Sequence, residues 1–240
     1  MKHADQPYSF PSTRWSVVGK TKEEPERYQA LEDLCAAYWY PIYGFIRRVG
    51  YSPSDAEDST QAFFARILAG ELFGRADQSR GKLRSFLLIV LKRFLADEKE
   101  KVRAQKRGGR EQVISIDLVM AEDQFSKEPV SGSTPESLFE RRWALTVLEN
   151  VLLQLRREYG ESDREEFFRT LEPFLAAPPT PDDYRKAAER LGMKEATLRV
   201  AVFRLRRRYG EVLRQQISDT LHSPADLAEE LDHLMTSLSS

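Results

Sequence analysis

The stretch TPDDYRKAAERLGMKEATLRVAVFRLRRRYGEVLRQQI, residues 180–217, carries two helical patterns on either side of one glycine. Thr180 is a favourable N-cap, and Pro181 suits the first helical position because its missing N–H needs no partner there. Gly192 can adopt the positive φ of a tight turn, after which a second helix is expected from about Lys194. Together these signals predict a helix-turn-helix.

Each predicted helix turns one apolar stripe inward. The inward residues are predicted to be Tyr184, Ala187, Ala188 and Leu191 in the first helix, and Leu198, Val202, Leu205 and Tyr209 in the second. The remaining face of the second helix is strongly basic. A helix in the DNA major groove presents its early residues to base edges and its later bases to phosphates. The candidate DNA contacts are therefore Lys194, Thr197, Arg199, Val200, Phe203, Arg204, Arg207 and Arg208, with Arg206 as a further candidate phosphate contact.

Two other interpretations of this basic helix stay open. It could be a bundle helix whose charged face is simply solvated, or a helix that lies on a membrane surface. The short preceding helix, the glycine turn and the basic excess favour nucleic acid. A membrane-surface helix needs bulky apolar residues along one whole face, and this apolar stripe is narrow enough to be used up by a bundle.

The formal net charge of −1 hides an uneven distribution of charge along the chain. Residues 75–110 contain twelve Lys/Arg against four acids, and residues 194–214 contain seven against two. Residues 111–137 contain six acids and one lysine, and residues 219–240 contain five acids and no Lys or Arg. The chain thus has two potential anion-binding surfaces, separated by an acidic stretch and followed by an acidic tail.

A second basic block runs from Arg80 to Arg107 across a predicted long helix. Basic side chains interleaved with aromatic ones suit single-stranded or melting DNA, which offers backbone charge and base stacking together. Phe86 and Phe94 are the interleaved aromatics, although both also fit a buried core. The candidate DNA contacts here are Arg80, Lys82, Arg84, Lys92, Arg93, Lys99, Arg103, Lys106 and Arg107.

A third element, DAEDSTQAFFARIL at residues 55–68, has a polar face formed by Asp55, Asp58 and Gln61. Ser52 is expected to cap this helix and Pro53 to begin it. Acids in a first turn often only compensate the helix dipole. The functional alternative is a docking surface for a basic protein partner.

Helical periodicity dominates the rest of the chain, so the predicted fold class is all-α. A first helix is expected to be broken or kinked at Pro41. Residues 110–135 have no sustained period and are interpreted as an acidic linker, in which VISIDL could be a brief strand. The predicted arrangement is two small helical domains joined by this linker: a helical bundle in 1–109, the linker in 110–135, a helix-turn-helix domain in 136–218 and an acidic C-terminal helix in 219–240.

Several functional classes lack their usual residues in this chain. A single cysteine, Cys35, excludes an intramolecular disulfide and a four-cysteine zinc site. There is no glycine-rich phosphate loop, metal-spaced Cys/His cluster or nucleophile elbow, so we expect no catalytic residues, no metal, no cofactor and no enzyme. Because no apolar run approaches eighteen residues, we expect a cytoplasmic protein without membrane contact.

The order of the three elements resembles that in bacterial sigma factors of the extracytoplasmic-function group of the sigma-70 family. DAEDSTQAFFARIL resembles that group's polymerase-clamp helix, usually D-A-E-D-hydrophobic-x-Q-E-x-F. KLRSFLLIVLKRFLADEKEK resembles the helix that contacts the minus-ten promoter element, and YRKAAERLGMKEATLRVAVFRLRRRYGEVL resembles the helix-turn-helix that reads the minus-thirty-five element. TRWSVV, YWYPIYGFIRR, AQKRGG and ERRWALTVLENVL also resemble segments of large members, so the resemblance covers nearly the whole chain.

This resemblance implies a transcription initiation factor that makes no bond itself. Asp55, Asp58 and Gln61 would dock on the clamp helices of the polymerase β′ subunit, and the β flap would be a second contact. The block from Arg80 to Arg107 would hold and help open minus-ten DNA, while the basic helix would read the minus-thirty-five box. Core RNA polymerase and promoter DNA are the implied partners, and the resemblance also allows an anti-sigma factor or another regulator as a partner.

Some positions depart from the family pattern. Ala62 stands in place of a common Glu, Phe86 in place of a frequent Trp, and Arg93 in place of a frequent Asn. In the recognition helix, Val200-Ala201 stands where many members have a polar residue followed by Arg. That change removes potential base and phosphate contacts, so the family pattern does not predict the promoter sequence. Val200 can still touch a thymine methyl.

The acidic tail, SPADLAEELDHLMTSL at residues 223–238, is predicted as a helix with one apolar stripe. In one interpretation it packs on the second domain. In the other it is a regulatory element, and the five acids of residues 219–240 screen the basic recognition helix.

Two other functions remain as alternatives to a sigma factor. A helix-turn-helix transcription regulator would not bind core polymerase and would not need the acidic clamp helix. An all-helical scaffold protein would not bind DNA, so it would lack the affinity with a steep salt dependence that phosphate contacts produce.

Overall fold

The structure, a computed structural model, describes residues 24–69, 82–105, 116–128, 134–221 and 223–239 of the 240-residue chain. Helices make up most of these residues and no strand occurs among them, so the predicted all-α class is confirmed for this part of the chain. The helices are α1 (Glu24–Arg48), α2 (Pro53–Leu68), α3 (Leu83–Gln105), α4 (Ile116–Ser126), α5 (Pro135–Glu161), α6 (Glu165–Leu171), α7 (Pro173–Ala176), α8 (Pro181–Arg190), α9 (Glu195–Ser218) and, after a 3-10 turn at Pro224–Asp226, α10 (Leu227–Ser239).

These helices divide into two compact units. The smaller unit is Val147–Gln216. The larger unit contains the described residues up to Thr146 and those from Ile217 onward. The boundaries fall inside α5 and α9, and not in residues 110–135, where the sequence predicted a linker.

In the smaller unit, the local signals at residues 180–195 produce the expected helix ends. The Thr180 hydroxyl accepts a hydrogen bond from the Asp183 N–H at 3.3 Å, and the Asp183 carboxylate accepts one from the Thr180 N–H at 2.7 Å. Gly192 has φ +61°, and α9 begins at Glu195. The predicted cap and turn are therefore confirmed.

The core of the smaller unit is built around the predicted apolar stripes. Ala187 and Ala188 of α8 are buried against α9, whose Leu198, Val202 and Leu205 are at most 1% exposed. The cluster is completed by Val151, Leu155, Phe168, Leu171, Phe174 and Val212, with Tyr184, Leu191, Met193 and Tyr209 partly buried against it. This packing fixes which face of α9 points outward.

The larger unit is held by aromatic and aliphatic side chains of α1, α2, α3 and the first half of α5. Phe63 of α2 meets Phe94 of α3 edge to face, with ring centroids 5.5 Å apart. The side chains that are at most 2% exposed include Tyr38, Ile42, Tyr43, Ile46, Ile67, Leu87, Leu91 and Phe139. Ser52 caps α2, as predicted, by accepting a hydrogen bond from the Asp55 N–H.

The expected break at Pro41 does not occur, since α1 runs from Glu24 to Arg48 with Pro41 inside it. A proline removes one hydrogen bond of the helix ladder. Its neighbours Tyr38, Ile42 and Tyr43 are almost fully buried in the unit. Packing of these side chains therefore offsets the lost hydrogen bond and keeps the helix continuous.

Helix α4 lies within the segment that the sequence indicated was a linker, and its residues 116–118 are helical rather than part of a strand. Arg47 of α1 binds the Glu122 carboxylate in a two-pronged ion pair, with Nε–Oε1 and Nη2–Oε2 distances of 2.6 and 3.0 Å. These hydrogen bonds lower the pKa of Glu122 below its ordinary value. The Arg47 guanidinium also lies 4.8 Å from the centre of the Phe125 ring. Contacts with α1 therefore stabilise a helix that has little apolar periodicity of its own.

Candidate nucleic-acid interface

The outward face of α9 carries the side chains predicted to contact DNA. Seven of the eight lie on α9, and Lys194 immediately precedes it. All eight are exposed: Lys194, Thr197, Arg199, Val200, Phe203, Arg204, Arg207 and Arg208. Because the buried stripe occupies the opposite side of the helix, this face is turned toward solvent.

Two arginines on this face make weak internal pairs. Arg199 bonds to Glu195, with Nη2–Oε1 2.6 Å, and its guanidinium lies 4.0 Å from the centre of the Tyr184 ring. Arg207 bonds to Glu211 at 3.0 Å. Exposed pairs one helical turn apart contribute only about 0.3–0.5 kcal/mol, so both guanidinium groups can exchange their partner for a phosphate.

Arg206 and Arg208 make contacts within the smaller unit that the sequence did not indicate. Arg206 donates to the Phe174 carbonyl from Nε at 3.1 Å and from Nη2 at 2.8 Å. This contact joins α9 to α7, and the role of Arg206 as a phosphate contact stays a prediction. Arg208 bonds to Glu158 of α5 at 2.6 Å, and this hydrogen bond lowers the pKa of Glu158.

The second predicted DNA-binding block, Arg80 to Arg107, is only partly exposed among the residues that the structure describes. Lys92, Arg93 and Lys99 are exposed on α3, where Lys92 pairs with Glu136 at 2.6 Å. Phe94 is 1% exposed, so it belongs to the core. Arg80, Lys106 and Arg107, also predicted to contact DNA, lie outside the described residues, as does the side chain of Arg103.

Arg84, another predicted DNA contact, is buried in an ion-pair cluster at the start of α3. Its side chain is 6% exposed and that of Glu230 in α10 is 1% exposed. The two groups meet at Nε–Oε1 2.5 Å and Nη2–Oε2 3.1 Å, while Arg84 Nη1 lies 2.7 Å from both carboxylate oxygens of Glu140 in α5. The guanidinium also lies 5.1 Å from the centre of the Trp143 ring. DNA cannot reach this arginine in the structure, so its prediction as a DNA contact is corrected.

Neighbouring groups extend this cluster, which we call the α10 clamp: Lys82, Arg84, Glu140, Glu229, Glu230 and His233. Lys82 pairs with Glu229 at 2.8 Å and with Glu230 at 3.0 Å. Burial favours the neutral form of Lys82, but its hydrogen bonds to these two acids outweigh that effect and raise its pKa. His233 Nε2 lies 3.1 Å from Glu140.

The clamp changes the interpretation of the acidic tail. The sequence offers two interpretations of α10: packing on the second domain, predicted as 136–218, or screening of the basic recognition helix. In the structure α10 groups with the larger unit, where Glu229 and Glu230 pair with Lys82 and Arg84. His233 of α10 also pairs with Glu140, which lies in the predicted second domain. Two acids of the tail are thus paired with cations at the start of α3.

The polar face of α2 is exposed at each residue that the sequence selected. Asp55, Asp58 and Gln61 all face solvent. Asp55 accepts a hydrogen bond from the Ser52 hydroxyl at 2.6 Å, so it also helps to cap the helix. Gln61 Nε2 lies 3.4 Å from Glu57 Oε1. These three side chains, spaced three residues apart, form an exposed polar strip on a helix whose Phe63 and Phe64 are buried.

Side chains that commonly bind metals do not gather in the part of the chain that the structure describes. In the same residues, no helix has the length and apolar character needed to cross a membrane. The residues that sequence reasoning missed are Glu140, Trp143, Glu230 and His233. Their contacts with α3 join positions far apart in the chain, and no local pattern indicates them.

No protein-family model matches the chain, and comparisons with curated proteins and with solved structures find no match either.

Proposed function

We propose that the protein is a sigma factor of the extracytoplasmic-function type, which binds core RNA polymerase and directs transcription initiation at chosen promoters. The observation that supports the proposal is the succession of α8, the turn at Gly192 and α9, which leaves a basic helical face exposed as a helix-turn-helix would. In this role α9 enters the major groove of the minus-thirty-five element. The protein works in the cytoplasm without a cofactor, and the polymerase performs the chemistry.

The exposed strip of α2 supports a contact with polymerase. Asp55, Asp58 and Gln61 would meet basic residues of the β′ clamp helices, while the buried side of α2 holds the strip in place. Complementary charge speeds association and sets register in protein interfaces. A DNA-binding regulator that does not bind polymerase has no use for such a strip.

The minus-ten contacts in this proposal are fewer than the sequence indicated. Lys92, Arg93 and Lys99 remain exposed on α3 and would meet DNA phosphates. Arg84 is removed from the set because it stabilises the α10 clamp. Lys82 takes part only when its pairs with Glu229 and Glu230 open.

Replacing Asp58 with lysine is expected to weaken capture by core polymerase strongly. The change reverses one charge in the centre of the proposed docking strip, and like charges placed together cost several kcal/mol in an interface. Purified core polymerase is mixed with tagged full-length protein, without DNA, and the bound fraction is measured over a concentration series. We expect at least a tenfold loss of affinity.

The matched control is Asp97→Lys, which makes the same charge change at an exposed position of α3. It should leave capture unchanged, and both variants should retain the wild-type helical circular dichroism. Failure of the wild-type protein to bind core polymerase would reject the sigma proposal and favour a regulator that acts on DNA alone.

A further inference from the structure

The part of α9 farthest from the core is an apolar ridge. With 3.6 residues per turn, Ala196, Val200, Phe203 and Arg207 line up opposite the buried stripe. Three of these four side chains are apolar. Val200 is 50% exposed and Phe203 is 65% exposed, although both lie in one of the two most basic segments of the chain.

Cationic side chains border this ridge on both sides. Arg199 lies along one edge, and Arg204 and Arg208 lie along the other. A helix in the major groove points its outermost line at the base edges, whereas its flanks pass close to the two phosphate backbones. Charge complementarity therefore selects a polyanion as the occupant of this face, and it places apolar groups where the bases are read.

Only one base presents a methyl group in the major groove. Thymine carries it at C5, where cytosine has only a hydrogen, and the polar groups that the four bases present there are hydrogen-bond donors or acceptors. A valine or phenylalanine that faced a guanine edge would bury acceptors without a partner, which costs free energy. The ridge is thus complementary to thymine and unsuited to guanine.

We infer that α9 reads its DNA site through thymine methyl groups, with Val200 and Phe203 as the specificity-determining residues and the flanking arginines as phosphate contacts. This inference rests on the proposed function, because it requires α9 to enter a major groove. It departs from the commonest specific contact, in which an arginine grips guanine, since Arg207 is the single arginine on the ridge and lies at its C-terminal end.

The test removes the methyl groups and nothing else. DNA duplexes are first selected from a random pool, both by the full-length protein alone and by its complex with core polymerase. The selected site is then synthesised again with deoxyuridine in place of thymidine, at one position at a time. We expect affinity for the wild-type protein to fall about fourfold for each recognised methyl, from the value of about 0.8 kcal/mol for one buried apolar carbon. Fluorescence anisotropy measures each affinity.

Variants assign the methyl contacts to residues. Val200→Ala and Phe203→Ala should bind thymidine and deoxyuridine duplexes with nearly equal affinity, whereas Leu153→Ala, a truncation at a 45% exposed leucine in the smaller unit, should discriminate as the wild type does. Tight binding with no effect of deoxyuridine would overturn the inference and leave the proposed function standing. An equal loss of affinity for both duplexes in the Phe203→Ala variant would likewise overturn it, because Phe203 would then support binding without reading the methyl group. Absence of binding to every duplex in both arms would reject DNA recognition itself.

Discussion

Replacing Arg84 with methionine is expected to lower the free energy of unfolding by about 3–5 kcal/mol, the usual effect of removing one partner from a buried ion pair. The substitution leaves the Glu230 carboxylate, which is 1% exposed, without the guanidinium that bonds to both of its oxygens. Glu140 loses two hydrogen bonds of 2.7 Å in the same step. Methionine retains most of the buried volume, so the lost charge is the main cause.

Urea denaturation, followed by circular dichroism at several pH values near neutrality, measures this effect. The matched control is Arg93→Met, an exposed position on the same helix, where a change below about 0.5 kcal/mol is expected. The double variant Arg84→Met/Glu230→Leu should lose less stability than the sum of its single variants, because it leaves no orphaned charge on Glu230. A loss below 1 kcal/mol for Arg84→Met would show that the α10 clamp does not hold the larger unit together.

Removing two cations that flank the ridge of α9, in the double variant Arg199→Ala/Arg204→Ala, is expected to weaken DNA binding at least about 100-fold at low salt. Hydrogen bonds to charged groups contribute about 1.5–3 kcal/mol each, and both side chains lie on exposed parts of α9. The slope of log affinity against log salt should also become shallower by about 1.8, since each phosphate contact contributes about 0.9. Titrations of a labelled duplex at several salt concentrations give both quantities.

The control for this pair is Arg164→Ala/Arg169→Ala, which removes the same charge from exposed positions of the smaller unit away from α9. It should keep the wild-type slope and most of the affinity. Equal losses in the two double variants would mean that DNA senses only net charge. An unchanged slope in the α9 variant would exclude this face as the phosphate-binding surface.

Features that depend on neighbouring residues were predictable from the sequence. The cap at Thr180, the positive φ of Gly192 and the buried Leu198–Val202–Leu205 stripe each follow from side-chain chemistry within a few positions. The exposed strip of α2 follows in the same way from helical spacing. These signals sufficed for the fold class and for the outward face of α9.

Features that depend on distant partners were not predictable in this way. Helix α4 is stabilised by the pairing of Glu122 with Arg47, which lies 75 positions away. Arg84 stands among basic residues, as an exposed DNA contact would. In the structure it is buried and bonds to Glu230, 146 positions later in the chain. Long-range ion pairs leave no period or motif in the sequence, so neither the helix inside the predicted linker nor the pairing of the tail with α3 could be predicted.

The most direct test of the central claim is run-off transcription with purified core polymerase, the full-length protein and fragmented genomic templates. A sigma factor should produce discrete transcripts that begin at a few positions and vanish when the protein is omitted. The Asp58→Lys variant should produce these transcripts only weakly, while Asp97→Lys should produce them as the wild type does. Absence of any protein-dependent transcript, with a core preparation that initiates normally with another sigma factor, would contradict the proposed function.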